Sequence, residues 1–227
     1  MAGWLLAEPV FLDRTDAGRQ LGDALQDERG RDCVVVGLAR GGVQVAAEVA
    51  RALEAPLDLV AVRKVRHPRQ PEYALGAVTP GDGVYVRGPN GLSEEQVAQA
   101  VEEAKAQAIA LDARLHARRP STSLERKTVI LVDDGLATGA TMIAAARWAR
   151  TAGAVRVVAA VPVAAAESVR LLRREVDDVV ALHAPSRFVA VATWYARFPQ
   201  VDDGEVLQLL DAAAVARATR PAVGARA

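Results

Sequence analysis

The sequence predicts a three-layer α/β domain built on a mostly parallel sheet. Short apolar runs of strand length alternate with segments of helical periodicity along most of the chain. The stretch from Cys33 to Val65 reads as strand, glycine-rich turn, helix and strand, the pattern of a βαβ unit. The stretch from Thr128 to Thr141 runs from an apolar strand into two adjacent carboxylates and then a glycine- and threonine-containing turn.

Taken in order, Met1 to Arg14 is an apolar lead-in, and Thr15 or Asp16 is placed to cap a helix running to about Gln26. Cys33 to Gly37 is a strand, Val43 to Leu53 a helix, and Leu57 to Val65 a second strand after Pro56. His67 to Pro71, with two prolines, reads as a loop. Tyr73 to Val78 and Gly83 to Arg87 form an appended strand pair across the turn-rich Thr79–Gly83. Asn90-Gly91 precedes the longest helix, where Ser93 with Gln96 makes a capping box. Its apolar stripe of Val97, Val101, Ala104, Ala108, Leu111 and Leu115 reaches toward Arg118 and is expected to pack on the sheet, with a contact between copies as the lesser use. Thr128 to Val132 is a strand, Thr141 to Thr151 a helix, Val155 to Val163 a strand, Glu167 to Arg173 a helix, and Val176 to Leu182 a strand. Phe188 to Tyr195 is an edge strand or an ordered loop, Glu205 to Arg217 a last helix, and the tail from Thr219 is expected to fray. The whole chain, 1–227, is expected to be one domain with an inserted hairpin and long helix around 73–119.

Composition limits the function classes. A chain of 227 residues, 51% hydrophobic and 25% charged, can bury a substantial core. Lys plus Arg equals Asp plus Glu at 28 each, which argues against nucleic acid or an anionic membrane as partner and leaves self-association open. The single cysteine, Cys33, lies beside Val34–Val36 and reads as a buried strand thiol. The start lacks the pattern of a signal peptide, and no run approaches the ~20 apolar residues of a membrane span, so the expected location is cytoplasmic.

The chemistry concentrates in Thr128-Val-Ile-Leu-Val-Asp-Asp-Gly-Leu-Ala-Thr-Gly-Ala-Thr141. The apolar strand cannot continue through Asp133 and Asp134, so both acids stand at its C-terminal end, where ligands bind in open α/β sheets. Gly135 and Gly139 give the turn conformational freedom, and Thr138 and Thr141 add hydroxyls as the next helix begins. Backbone N–H groups there can surround a phosphate. The acids suit the hydroxyls of a polyol or a hydrated Mg²⁺. An isolated Asp-Gly would be only a capped turn; the full arrangement is far more specific. It is not the nucleoside-triphosphate loop, since no lysine holds the required position.

This passage closely resembles the PRPP-binding signature of the type I phosphoribosyltransferases. The resemblance implies that Asp133 and Asp134 contact the ribose hydroxyls, in part through Mg²⁺, and that Ala137, Thr138, Gly139, Ala140 and Thr141 cradle the 5-phosphate. Leu38-Ala-Arg-Gly-Gly42 follows the first core strand where the family has its pyrophosphate loop, which assigns Arg40, Gly41 and Gly42 to that role. Arg63 and Lys64 fit the family's pyrophosphate-binding position after the second core strand, in a cationic run with Arg66 and Arg69. His67 to Tyr73 resembles a mobile loop, to which Glu72 and Tyr73 are weaker candidates. Val62-Arg-Lys-Val, Pro71-Glu-Tyr-Ala-Leu-Gly-Ala-Val78 and the Tyr-x-x-Phe of Tyr195 to Phe198 resemble a bacterial group described as predicted phosphoribosyltransferases, over most of residues 10 to 210.

The resemblance implies a Mg²⁺-dependent enzyme of nucleotide metabolism that transfers a phosphoribosyl group from PRPP to a nitrogenous acceptor, and a homodimer. A PRPP or nucleotide sensor and a ribosyl-phosphate hydrolase are the alternatives. Phe188, Trp194, Tyr195 and Phe198 read first as core or interface and only second as a stacking surface for a base. His67, His116 and His183 form no metal motif, and His116, Arg118 and Arg119 are expected at the surface.

Overall fold

A computed structural model of the chain describes residues 9–88 and 91–219. The expected frayed tail beyond Thr219, Asn90 and most of the apolar lead-in lie outside the described residues. The expected architecture is the one the chain adopts. A five-stranded sheet has the order β2-β1-β6-β7-β8, formed by Leu57–Ala61, Cys33–Ala39, Thr128–Val132, Arg156–Val163 and Asp178–His183, and all its pairings are parallel. β6 is central, and it and β1 are buried along nearly their whole length. That burial is why both read as continuous apolar runs without alternation.

Each face of the sheet buries its own layer. On one side, Val35, Ile130, Val132 and Val158 pack under Leu21 of α1 (Arg14–Ala24) and Val45, Val49 and Leu53 of α2 (Gly41–Leu53). On the other, Val34, Val36, Leu131 and Val157 meet Met142, Ile143 and Ala146 of α4 (Ala140–Thr151) and Leu172 of α5 (Ala166–Leu172). The odd and even residues of β1 thus feed different layers, as the two-residue period of a strand demands.

Leu57 to Val65, which reads as one strand, is two. β2 stops at Ala61, where its pairing with Ala39 ends, and β3 (Arg63–His67) joins a separate antiparallel sheet ordered β3-β4-β5. Only the polar pair Arg63-Lys64 marks the change after Val62; no proline or glycine breaks the chain there. The predicted loop at His67 to Pro71 is a hairpin: His67 pairs with Gln70 and only Pro68 and Arg69 form the tip, leading into β4 (Gln70–Val78) and then β5 (Val84–Val86). This small sheet stands over α4 as a hood, with Arg147 Nη1 donating to Val84 O at 3.0 Å.

The long helix α3 (Glu94–Leu115) starts with the expected capping box of Ser93 and Gln96. Its stripe is divided between two partners. Ala100 and Ala104 pack on Val65, Leu75 and Val78 of the hood, while Leu111 and Leu115 pack with Leu59 and with Val206 and Leu210 of α6 (Asp203–Ala218). The helix ends at Leu115, short of Arg118, and α1 ends at Ala24 with Gln26–Glu28 as a single 3₁₀ turn. Asp13, rather than Thr15 or Asp16, caps α1. Phe188 to Tyr195 is an ordered loop holding a 3₁₀ turn at Val191–Trp194. Cys33 is buried as expected, and among the described residues no helix is long and apolar enough to cross a membrane.

His116 departs from its expected surface position. It follows α3 with 13% of its side chain exposed, and Nε2 lies 3.0 Å from Oδ1 of the buried Asp58. Nδ1 is 3.2 Å from Asp112 Oδ2, an ion-pair contact whose angle falls short of a hydrogen bond, so the Asp58 contact is the better directed one. Asp58 Oδ2 also accepts from Thr122 N at 2.5 Å, which ties the segment after α3 to the sheet edge. Asp112 first, then Asp58, hold the proton on the imidazole against desolvation and raise its pKa to about 10. A folded-state pKa above the unfolded one contributes stability below the unfolded value, lost as pH rises through the folded value. Urea unfolding is therefore expected to show the wild-type advantage over His116→Asn in full below about pH 6.5, shrinking as pH approaches 10. A pH-independent difference between the two proteins counts against an ionised His116.

Candidate functional site

In a parallel sheet that runs outward in both directions from two neighbouring strands, a crevice opens between their C-terminal ends. Here those strands are β1 and β6, because β1 is followed by β2 on one side and pairs with β6 on the other. The Arg40–Gly42 turn leaves β1 and the Asp133–Thr141 turn leaves β6, so the two segments singled out in the sequence meet at this point. The hood covers the Asp133–Thr141 turn from above, while Arg40, Gly41 and Gly42 lie beside the cleft rather than in its lining. The resulting cleft has a volume of about 460 Å³ and is lined by Asp133 to Gly135, Ala137 to Thr141, Val191, and from the hood by Lys64, Glu72, Tyr73, Ala74, Gly76 and Arg87.

Asp133 and Asp134 sit at the floor of the cleft. Asp133 Oδ1 accepts from Asp134 N at 2.9 Å, and Asp134 Oδ2 accepts from Arg14 Nε at 2.8 Å. Each keeps an edge of carboxylate open at the cleft, 17% of the side chain for Asp134, with protein on the remaining sides. Loss of water pushes the pKa of Asp133 well above the usual carboxylate range, and the charge of Asp134 pushes it further. Asp134 is also raised by desolvation, with Arg14 opposing the shift. Two like charges at one poorly hydrated strand end thus have one ion-pair partner among the described residues, Arg14.

Arg14 is one site residue that the sequence did not single out. It is 5% exposed, and besides Asp134 its Nη1 donates to Pro199 O at 2.7 Å while its guanidinium lies 3.6 Å over the Phe198 ring. Tyr195 Oη donates to Asp134 O at 2.5 Å, and burial with the charge of Asp134 keeps that phenol protonated. Both ends of the Tyr-x-x-Phe segment thus bear on one acid, a signal visible in the sequence without its target. The four aromatics take their first-expected role: Phe188, Trp194, Tyr195 and Phe198 pack around Phe11 and Val163. Gly41 makes this crowding feasible, since a Cβ there would land on Asp134 Oδ2 and reach Arg14 Nε at 3.1 Å.

The turn after the acids is pinned at its base and open at its top. Leu136 N donates to Val163 O at 2.9 Å and Ser168 Oγ to Ala137 O at 2.8 Å. Gly139 has φ +78°, a left-handed conformation that favours glycine, and it precedes α4. α3 and α6 begin with capping boxes, but no side chain caps α4. Its first-turn amides, which have no intrahelical acceptor, are aimed with the positive end of the helix at the cleft. Thr138 and Thr141 flank them. Arg87, a second residue the sequence did not single out, lines the cleft and donates through Nη2 to Thr138 O at 3.0 Å. No spacing rule links positions 51 apart on different sheets.

Among the predicted cations, Lys64 faces this cleft and Arg63 does not, as expected of neighbours on a strand. Arg63 instead feels the charges of Arg40 and Arg114, with that of Asp203 opposing them. Arg66 and Arg69 are spent on backbone carbonyls, Pro71 O in the hood at 2.8 Å and Gly91 O ahead of α3 at 3.1 Å. Gly42 packs its backbone against Val132 and Asp133, which brings the Arg40–Gly42 turn beside the acids. The Ala39–Arg40 peptide is cis.

Comparison with known proteins shows the family and the fold. The family model described as Phosphoribosyl transferase domain matches residues 15–193. A protein of Mycobacterium tuberculosis (strain ATCC 25618 / H37Rv), "Putative phosphoribosyl transferase Rv0571c", is 43% identical over 209 residues, covering 90% of this chain and 47% of its own length. Its counterpart in strain CDC 1551 / Oshkosh, "Putative phosphoribosyl transferase MT0597", gives the same figures. The chain therefore spans about half the length of these curated relatives. The crystal structure of TT1426 from Thermus thermophilus is 41% identical, with a TM-score of 0.75 over 88% of this chain and 97% of that one.

The acid pair carries a measurable cost to the fold. Asp133→Asn keeps an oxygen to accept from Asp134 N and removes a poorly hydrated charge beside Asp134. It is expected to stabilise the protein by about 1 kcal/mol, or ~2–4 °C in the unfolding midpoint for a chain of this size. Because the native pKa is raised, the gain belongs to neutral pH and fades as the pH falls toward the ordinary carboxylate value near 3.8. Calorimetry at pH 7.5 and pH 4 checks both parts, and a destabilised variant at pH 7.5 refutes the account.

Proposed function

This chain belongs to the phosphoribosyl transferase family, and we propose that it transfers the 5-phosphoribosyl group of PRPP to a nitrogenous acceptor with release of pyrophosphate. The observation that carries the reading is the placement, at one crevice, of a carboxylate pair and an uncapped helix start separated by a five-residue turn, Gly135 to Gly139. A ribose 5-phosphate presents the matching pattern: a diol to donate to carboxylates, and a phosphate to accept from amides and hydroxyls.

In this reading Asp133 and Asp134 hold the ribose 2- and 3-hydroxyls, and Arg14 fixes the Asp134 carboxylate from behind. Ala137 to Thr141 bind the 5-phosphate, with Arg87 beside them. Arg40, Gly41, Gly42, Arg63 and Lys64 face the diphosphate. The C1–O bond to pyrophosphate breaks with its electron pair leaving on oxygen, and the acceptor nitrogen bonds to C1 and gives up a proton. Positive charge develops on the ribose ring over the carboxylates while negative charge grows on the departing group next to the cations, so both sets stabilise the transition state more than the ground state. The hood excludes water, which would otherwise take the acceptor's place.

The donors fit Mg²⁺ carried in with its substrate. Two hard carboxylates share one strand end, and among the described residues no group of three or more His, Cys, Asp or Glu forms an all-protein cage. Mg²⁺ commonly completes such a shell with phosphate oxygens and water. When bound it would supply charge neutralisation for the diphosphate. The reading includes a cytoplasmic homodimer in which residues 1–227 act as a single domain.

The test is pyrophosphate release from PRPP with Mg²⁺ across purine, pyrimidine and other amine acceptors. Acceptor-dependent turnover is expected, falling by about 100-fold or more in Asp134→Asn, the scale for loss of one positioned charge-stabilising group. Release without any acceptor identifies a hydrolase instead, and PRPP binding without turnover a sensor. A chain that neither binds nor turns over PRPP overturns the assignment of the cleft.

A further inference from the structure

Beside the cleft the fold collects a second set of charges from four distant parts of the chain. Arg40 follows β1, Arg63 opens β3, Arg114 lies in the last turn of α3 and Asp203 in the first turn of α6. Arg40 Nε donates to Asp203 Oδ1 at 2.6 Å, and Arg114 Nε to Asp203 Oδ2 at 3.2 Å. The Arg63 guanidinium makes no hydrogen bond or ion pair with any described residue. Partial burial first, then the charges of Arg40 and Arg114, lower its proton affinity, and Asp203 is the acid that opposes them. Arg40 and Arg114 thus share one carboxylate while the Arg63 charge stays unpaired among the described residues, and the repulsion among the three cations leaves room for more negative charge.

Asp203 is not needed to start its helix. Asp202 and Glu205 already form the capping box of α6, each bonded to the other's backbone N–H at 2.9 Å. Its two oxygens instead take one arginine each, as two oxygens of a phosphoryl group would. The cluster adjoins the cleft through Arg40, whose neighbour Gly41 touches Asp134 and Arg14.

We propose that Arg40, Arg63 and Arg114 form one wall of the diphosphate subsite, with Asp203 as a resident stand-in for the phosphoryl group. The inference rests on the PRPP reading and adds to it Arg114, from the inserted helix, and an internal competitor, from α6. Arriving diphosphate takes the arginines from Asp203, and their return to the carboxylate helps expel pyrophosphate.

Calorimetric titration of Mg²⁺-pyrophosphate into the full chain, Asp203→Asn and Arg114→Gln separates the possibilities, with circular dichroism confirming that each variant is folded. Asp203→Asn is expected to bind pyrophosphate about fivefold more tightly, the upper end for a partly exposed ion pair, and Arg114→Gln more weakly by a similar factor. Unchanged or weaker binding by Asp203→Asn overturns the proposal, the weaker case making Asp203 a strut that organises the arginines. If the unaltered chain binds PRPP and pyrophosphate and both variants match it, the inference alone falls. If it binds neither, the PRPP reading falls and takes this inference with it.

Discussion

Asp133 and Asp134 end the central strand of the sheet, where lost hydration and mutual repulsion both oppose their ionisation. Much of the surrounding structure answers that constraint. Arg14 supplies a buried cation at 2.8 Å, and it is held in turn by the Pro199 carbonyl and the Phe198 ring. A buried arginine is itself costly unless its donors are satisfied, so the contacts stabilise one another. The ion pair thereby joins the first helix, the middle strand and the segment before the last helix, which are 120 residues or more apart in sequence from Arg14. Tyr195, bonded to the carbonyl of Asp134, closes the same ring of contacts.

The sheet topology explains why the acids stand beside the Arg40–Gly42 turn. Strands on either side of the β1–β6 boundary are laid down in opposite directions from it, and the two connections part there. A glycine pair lets the first turn approach the second closely enough for backbone and carboxylate to touch. The hood completes the cleft from chain inserted between the two halves of the sheet, and α3 braces it against α6.

Legibility followed the range of the interactions. The β6 strand was readable to its ends, Thr128 and Val132, because a fully buried strand bounded by charges leaves a local mark. The capping box at Ser93 was readable for the same reason. The transfer of the chain from one sheet to another at Val62 was not, since no proline or glycine separates the apolar β2 from the charged, alternating β3. In the site, the acids and the threonine turn were visible as a contiguous pattern, whereas Arg14 and Arg87 arrive from elsewhere in the fold. His116 shows the same limit: a histidine among arginines reads as surface until Asp58, 58 residues away, is placed against it.

Net charge conceals how this protein is organised electrically. The equal numbers of acidic and basic residues suggest an unremarked surface. Around the cleft, however, the charges are grouped: two carboxylates on the floor, Lys64, Arg87 and Glu72 on the hood, and Arg40 and Arg114 sharing Asp203 beside the Arg40–Gly42 turn. A ligand bearing only phosphates would be repelled by the floor, and a plain sugar would leave the cations unsatisfied. A molecule that carries a diol between phosphate groups would meet both demands at once, and the proposed reaction would move charge in the direction the two sets favour. On the proposed reading, selectivity comes from the spacing between opposite charges that cancel in the total, and a composition that sums those charges carries no trace of their spacing.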